Sequence, residues 1–374
     1  MYRRDLLRAG ALGAAAAATP AALAQTASAS RQLANADLRF DADRQLELIR
    51  PARLREGQTV GLVSPAGIIQ SEAAVDRMRL AFAALGLYVK VADHVLDRYG
   101  YFAGADRDRA NDVTAMFADD EVDAVVTTTG GWGCARILPY LDYDVIRANP
   151  KVLSGYSDVT ALLLAIYGQT GLVTMHGPNG MSGLDGFTGE QFRRVVFDGE
   201  AATLANPELP PVFEARTEPP GLENRVEPYG KVLKTVRSGT ARGRIIGGNL
   251  TVMTALVGTP WLPDTAGHIL FVEDIAEGIY RVDRMLTQLG QAGVLENIVG
   301  FVFGVCQRCN PDSGAVAGFS LDEVINQHIR RLRIPAYTGA SIGHLSRKLT
   351  VPIGAEAEID ADAGTLRLLA PAVV

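Results

Sequence analysis

The sequence predicts an α/β chain of two domains, the first built on a parallel sheet and the second mixed and richer in strand. Three observations carry this reading. The chain has 374 residues, enough for about two domains of roughly 100–200 residues each. Between 55 and 182, short apolar runs alternate with segments of helical period joined by short loops. That is the pattern of parallel strands covered by helices on both faces. Pro207, Pro210, Pro211, Pro219, Pro220 and Pro228 then crowd a stretch from 183 to 242 with little periodicity. It reads as a linker or extended crossover ahead of a second domain over 243–374.

The elements follow in order. Thr59–Ser64 is an apolar run that stops at Pro65-Ala66-Gly67, a buried strand and its turn. Ala74, Val75, Met78, Ala81, Phe82 and Leu85 recur at helical spacing from Ser71 to Leu85. Ser71 is a suitable N-cap and Gly86 a suitable stop. Leu87–Val91 reads as the second strand, Asp106–Phe117 as the second helix and Val122–Thr128 as the third strand. Leu153–Gly155 is a short strand that leads into the apolar helix Val159–Tyr167. Beyond the proline-rich stretch come the turn Gly247-Gly248-Asn249, strands at Ile269–Val272 and Ile298–Val305, helices at Ile279–Leu289 and Leu321–Leu332, and strands within Ala355–Leu369. The first domain is thus Rossmann-like, the second a mixed α/β domain with a β-rich core. In open parallel sheets ligands bind beyond the carboxyl ends of the strands. The loops of interest are therefore Pro65–Gly67, Gly130–Gly133 and Gly155–Asp158.

Composition narrows the function. With 48% hydrophobic and 21% charged residues the chain can bury a real core, which excludes a disordered or fibrous protein. A formal charge of −6 and the absence of a Lys/Arg run exclude a nucleic-acid binder. Residues 1–24 read as a twin-arginine export signal: Arg3 and Arg4, an Ala/Gly-rich apolar stretch, and Ala22-Leu23-Ala24 as the cleavage pattern. Residues 25–54 read as a leader. A periplasmic, signal-cleaved protein is the expectation, and no later segment is apolar enough over 18 residues to span a membrane. Of the three cysteines, Cys306 and Cys309 form a C-x-x-C. No second C-x-x-C or close His pair accompanies it, so a zinc site is disfavoured, leaving a local disulfide or two plain thiols.

Gly155-Tyr156-Ser157-Asp158 stands where a strand gives way to a helix. A serine on such a bend presents its hydroxyl at a helix N-terminus, although Val159 replaces the second glycine of G-x-S-x-G. The alternative is a helix cap by Ser157 or Asp158. Gly130-Gly131-Trp132-Gly133 either offers backbone N–H groups to a ligand or makes a structural turn. A serine nucleophile needs a base and an orienting acid. Among the five histidines, His176 and His344 lie in loops that can line a cleft. Glu273 and Asp274, after an apolar strand, are the candidate acids, with a surface ion pair to Arg281 or Arg284 as the other use of Glu273. The residues alone leave several triads open.

Six blocks in order resolve the choice: YFAGADRDRANDV, the GGWG loop, PYLDYDVIRANPKVLSGYSDVTAL, GRIIGGNLTVMTALVGTP, ILFVEDIAEGIYRVDRMLTQL and GHLSRKLTVPIG. Together they resemble the LD-carboxypeptidase family of serine peptidases, which includes the microcin C immunity peptidases, over residues 55–370. The resemblance implies a Ser157–Glu273–His344 triad. It also implies an oxyanion hole from the backbone N–H groups of Asp158 and the Gly131–Trp132 loop. No metal or organic cofactor is implied, and a homodimer is. Thr129 stands where the family commonly has arginine, which marks it, with His176, as a candidate substrate contact. The implied reaction removes the terminal D-alanine of a muropeptide tetrapeptide. Cleavage of peptidyl or aminoacyl nucleotides and simple capture of muropeptides are the alternatives.

Overall fold

A computed structural model of the protein describes residues 47–208, 233–309 and 318–374. The expected signal peptide, the leader as far as residue 46, and 209–232 of the expected linker lie outside these. In chain order the first elements are β1 (Thr59–Val63), α1 (Glu72–Ala83), β2 (Tyr88–Val91), α2 (Asp106–Ala118), β3 (Ala124–Thr127), α3 (Cys134–Ile137), α4 (Tyr143–Ala148), β4 (Val152–Gly155), α5 (Thr160–Thr170) and β5 (Thr174–His176). After them come α6 (Gly186–Val196), β6 (Thr203–Leu204), β7 (Lys234–Arg237), β8 (Thr240–Asn249), α7 (Leu250–Ala255), β9 (His268–Glu273) and α8 (Ile279–Gln291). The last are β10 (Gly300–Gly304), α9 (Leu321–Ile329), β11 (Ala336–Ala340), β12 (Val351–Ile353), β13 (Glu356–Asp360) and β14 (Thr365–Leu368).

These strands form two sheets. The first has the order β12-β5-β4-β3-β1-β2, parallel except for β12. Every residue of β3 and β4 is buried, as both-face coverage requires. The second has the order β6-β14-β13-β8-β9-β10-β11-β7; its centre β8 to β11 is parallel and its flanks antiparallel. The fold class expected from the sequence is the one observed.

The all-apolar character of α5 has a structural reason. It packs against β4 and β5 of the first sheet and against β8 of the second, so its Leu162, Leu163, Leu164 and Ile166 are all buried. A helix with no solvent face sits where two layers meet. Its N-terminus, and the serine turn before it, are thereby placed between the sheets.

Three differences from the sequence reading are informative. The stretch read as linker contains α6, whose Phe192, Val195 and Val196 are buried, and β6, which pairs with β14. The prolines that suggested a crossover fall after these elements, and their density masked the amphipathic pattern of 186–196. The second sheet therefore starts ahead of residue 243, with β6 along β14 and then Lys234–Arg237 along β11. Finally, β12 lies within the second domain's sequence span but pairs with β5 of the first sheet, Val351 opposite His176.

Asp112 on α2 is buried, and its carboxylate accepts the His94 backbone N–H at 3.0 Å. Burial pushes its pKa up to about 6. The folded carboxyl therefore binds a proton at a pH where the unfolded one has lost it. Stability is lost as pH rises from about 4 through about 6. Asp112→Asn keeps the acceptor without the charge. Its expected effect is a stabilisation of about 1 kcal/mol at pH 7.5 that vanishes near pH 4, read as the difference in Tm between the two proteins at each pH. An equal Tm at pH 7.5 would disprove the assignment.

Candidate active site

The site starts from the end of β4. Tyr156 is extended, and Ser157 then turns into the left-handed region at φ 67°. A non-glycine residue held there is strained, and the surrounding structure must enforce it. A 3-10 turn over Ser157–Val159 leads directly into α5. The serine hydroxyl is thus raised on a strand-to-helix elbow. Neither Ser157 nor Asp158 caps the helix with its side chain. Instead Asp158, whose pKa burial raises, accepts the Cys134 backbone N–H at 2.8 Å and ties the elbow to the glycine loop.

The glycine loop follows β3. Gly130 lies against the serine: a Cβ there would stand 2.8 Å from Ser157 Cβ and 3.0 Å from its Oγ. Gly131 and Trp132 are exposed at the mouth, with the Trp132 side chain 67% accessible. Arg109 braces this end of the sheet. Its guanidinium is buried and donates to the carbonyls of Gly133 at 3.1 Å, Gly104 at 3.2 Å and Pro65, and to Asp106 at 2.6 Å. The loops after β1 and β3 are therefore held by one side chain. Sequence reading passed over Arg109, because an arginine on a polar helix face reads as solvated.

The second sheet supplies the acid. Glu273 ends β9 opposite Asn249 of β8 and is 0% exposed. Asn249 donates to Asp274 Oδ1 at 3.1 Å and to Glu273 Oε1 at 3.4 Å, and its side-chain oxygen caps α7. Asp274 faces the other way and accepts from the Thr251 backbone and hydroxyl. Glu273 does not pair with Arg281, which sits beside Glu277 at 3.5 Å. The Glu273 carboxylate lies between two imidazoles, His344 Nδ1 at 2.8 Å from Oε2 and His176 Nε2 at 3.7 Å from Oε1. The His176 approach is too long for a hydrogen bond and acts electrostatically. Burial raises the pKa of Glu273, but the two imidazoles lower it more and hold the carboxyl below the usual range.

His344 follows β11 in the loop 341–350. Its Nε2 lies 2.9 Å from Ser157 Oγ while Nδ1 faces Glu273, so the ring joins the two sheets. With Nδ1–H donating to the carboxylate, Nε2 is free to accept the serine proton. Gly343 makes this possible. At φ 88°, its added Cβ would stand 2.0 Å from Glu273 Oε2. Gly343→Ala is expected to lower Tm by about 5 °C or more, because both backbone and carboxylate must move. A Tm unchanged to within about 1 °C would show that the loop has room.

The profile of the LD-carboxypeptidase N-terminal domain matches residues 60–177, and that of the C-terminal domain matches 242–359. The chain belongs to the LD-carboxypeptidase family. It is 35% identical over 316 residues to a Bacillus subtilis protein named probable murein peptide carboxypeptidase, covering 83% of this chain and 91% of the relative. Among solved structures it resembles the microcin C7 self immunity protein MccF in complex with aspartyl sulfamoyl adenosine, with TM-score 0.75, 27% identity and coverage of 87% and 100% of the two chains. It also resembles the muramoyltetrapeptide carboxypeptidase from Oxalobacter formigenes, with TM-score 0.68, 27% identity and coverage of 83% and 98%.

In this member of the LD-carboxypeptidase family, Ser157, His344 and Glu273 lie in one hydrogen-bonded line; Asp158 follows the serine in its turn, and Gly131 and Trp132 follow Gly130, which packs on Ser157. Thr129 is half-buried at the start of the glycine loop. His176 departs from expectation. The sequence places it in the cleft lining, but it is 1% exposed, because the alternation of β5 turns it inward behind Glu273. Among the described residues no group of three His, Cys, Asp or Glu is placed to hold a metal, and no helix is long and apolar enough to cross a membrane. Cys306 and Cys309 form a disulfide just after β10. There the Gln307 carbonyl accepts the Ala276 N–H at 2.8 Å, three residues beyond Glu273.

Proposed function

We propose that the protein is a periplasmic serine exopeptidase that removes the terminal D-alanine from peptidoglycan tetrapeptides. The observation that carries this reading is the Ser157–His344–Glu273 line, 2.9 Å and 2.8 Å between successive atoms, at the foot of a glycine loop. His344 Nε2 takes the proton of Ser157, and Oγ attacks the carbonyl carbon of the L–D amide. The backbone N–H groups of Gly131, Trp132 and Asp158 receive the oxyanion. His344 then passes its proton to the leaving amine, the C–N bond breaks, and D-alanine departs from an acyl-enzyme. Water, deprotonated by the same imidazole, attacks the ester carbon; the C–Oγ bond breaks, Ser157 Oγ takes the proton back from His344, and the tripeptide leaves. Glu273 stays ionised throughout and holds the ring in the productive tautomer.

The relatives named for murein peptide and muramoyltetrapeptide substrates support the wall-peptide assignment. The twin-arginine segment at 1–24 and the Cys306–Cys309 disulfide support export to an oxidising compartment. The likeness to MccF supports a second substrate class, aminoacyl nucleotides. Mass spectrometry of a disaccharide tetrapeptide incubated with the signal-cleaved protein decides between them. Loss of one alanine is the expected result. An intact tetrapeptide beside a hydrolysed aspartyl adenylate would assign the nucleotide class, and neither product would leave a binding protein.

A further inference from the structure

Lys348 is the one lysine buried among the described residues, at 4% exposure. Its ammonium lies 3.7 Å above the ring of Tyr156 and 3.3 Å from Ser182 Oγ, and among the described residues no carboxylate is within ion-pair distance. Buried charges normally have a partner, because desolvation is costly. Here desolvation prevails: it lowers the ammonium's pKa to about 8, offset only in part by the distant Glu273. The residue is nevertheless fixed in place. Thr188 Oγ1 accepts the Lys348 N–H at 3.1 Å and donates to the Ser346 carbonyl at 3.0 Å, clamping the loop onto α6.

This cation lies beside the serine. Tyr156, which precedes Ser157, carries Lys348 on its face and meets the edge of the His344 ring at 5.1 Å between centroids. Ser182 is held by Asn179, 3.0 Å from its side-chain oxygen, in the loop that leaves the carboxyl end of β5. An enzyme that removes one terminal residue must recognise a free carboxylate next to the bond it cuts. Arg109 is poorly placed for this, since four of its five N–H donors are committed to three carbonyls and Asp106 and its side chain is 0% exposed.

We propose that the Lys348 ammonium, between the Tyr156 ring and the Ser182 hydroxyl, binds the terminal carboxylate of the departing residue. The proposal rests on the peptidase reading above and explains why that peptidase would act at chain ends. The carboxylate supplies the counter-charge the ammonium lacks, and the Ser182 hydroxyl, which donates to Asn179 and accepts from Lys348, fixes where the ammonium stands. Lys348 is thus a specificity residue and takes no part in proton transfer.

The test compares two tetrapeptides that differ only in ending as the D-alanine acid or the D-alanine amide. Wild type is expected to favour the acid by about 10- to 100-fold in kcat/KM, the size of a charge-assisted hydrogen bond. In Lys348→Met the ratio should fall to near one, and in Lys348→Arg it should recover in part. Equal cleavage of acid and amide by wild type overturns the proposal with no variant needed, so a Met variant that fails to fold does not shield it. An unchanged ratio in a folded Lys348→Met also overturns it. Wild type that cuts neither peptide, yet is acylated at Ser157 by an activated aryl ester, removes the wall-peptide reading itself and the proposal with it.

Discussion

Ser157→Ala is expected to lower kcat by about a million-fold on any substrate the enzyme turns over, with Tm within a degree or two of the parent. The hydroxyl's hydrogen bond runs to His344, and the imidazole left behind is partly accessible, so water replaces the lost contact. Alanine carries the same Cβ into the left-handed turn at φ 67° and meets the same strain, so the elbow should keep its shape. What remains after the change is binding and the glycine loop, which are worth orders of magnitude less than the intact line. Quantitative mass spectrometry of the product beside a thermal melt reads both halves of the expectation. A folded variant with more than about 1% of the parent rate would remove Ser157 from the chemistry.

Glu273→Gln should cost about 10,000-fold in kcat, with a far smaller change in KM. The carboxylate is 0% exposed and faces His344 on one side, His176 and Asn249 on the other. Glutamine has the same shape but only one acceptor oxygen. If that oxygen meets His344 Nδ1, its amide N–H groups confront the Asn249 amide, itself a donor at 3.4 Å from Oε1. If the amide turns over, it donates to Nδ1 and forces the imidazole proton onto Nε2, where it blocks proton uptake from Ser157. Either orientation also loses the negative charge that stabilises the imidazolium. Steady-state kinetics on the tetrapeptide check this, and a loss below about tenfold would make the charge incidental.

How much of this was readable beforehand depends on what each residue's neighbours in sequence reveal. The parallel strands of the first sheet were legible because coverage on both faces forces unbroken apolar runs such as Ala124–Thr127. Ser157 stood out through its strand-to-helix setting, and Glu273 and His344 through the ordered blocks around them. The relay itself was not legible, since 187 residues separate Ser157 from His344. Asn249 gives no sign of its contact with the acid in the sequence, because an asparagine at a strand-to-helix junction already has a role as a cap. Lys348 is hidden for a simpler reason. A lysine beside Ser346 and Arg347 reads as solvated, and only the packing of α6 and Tyr156 around it reveals the burial. Strand β12 escaped assignment because periodicity announces a strand but never its partner.

That same strand bears on how the molecule is divided. The loop 341–350 leaves β11 in the second sheet and lands on β12 at the edge of the first. It is a span with one abutment in each half, and the general base is mounted on it. A fragment ending after β5 would present that strand's bare backbone edge to any passing chain. A fragment starting at β8 would carry a strand with no sheet to join. The two halves therefore cannot be cut apart at the boundary between their sequence profiles, and any flexing of one sheet against the other is felt first at His344.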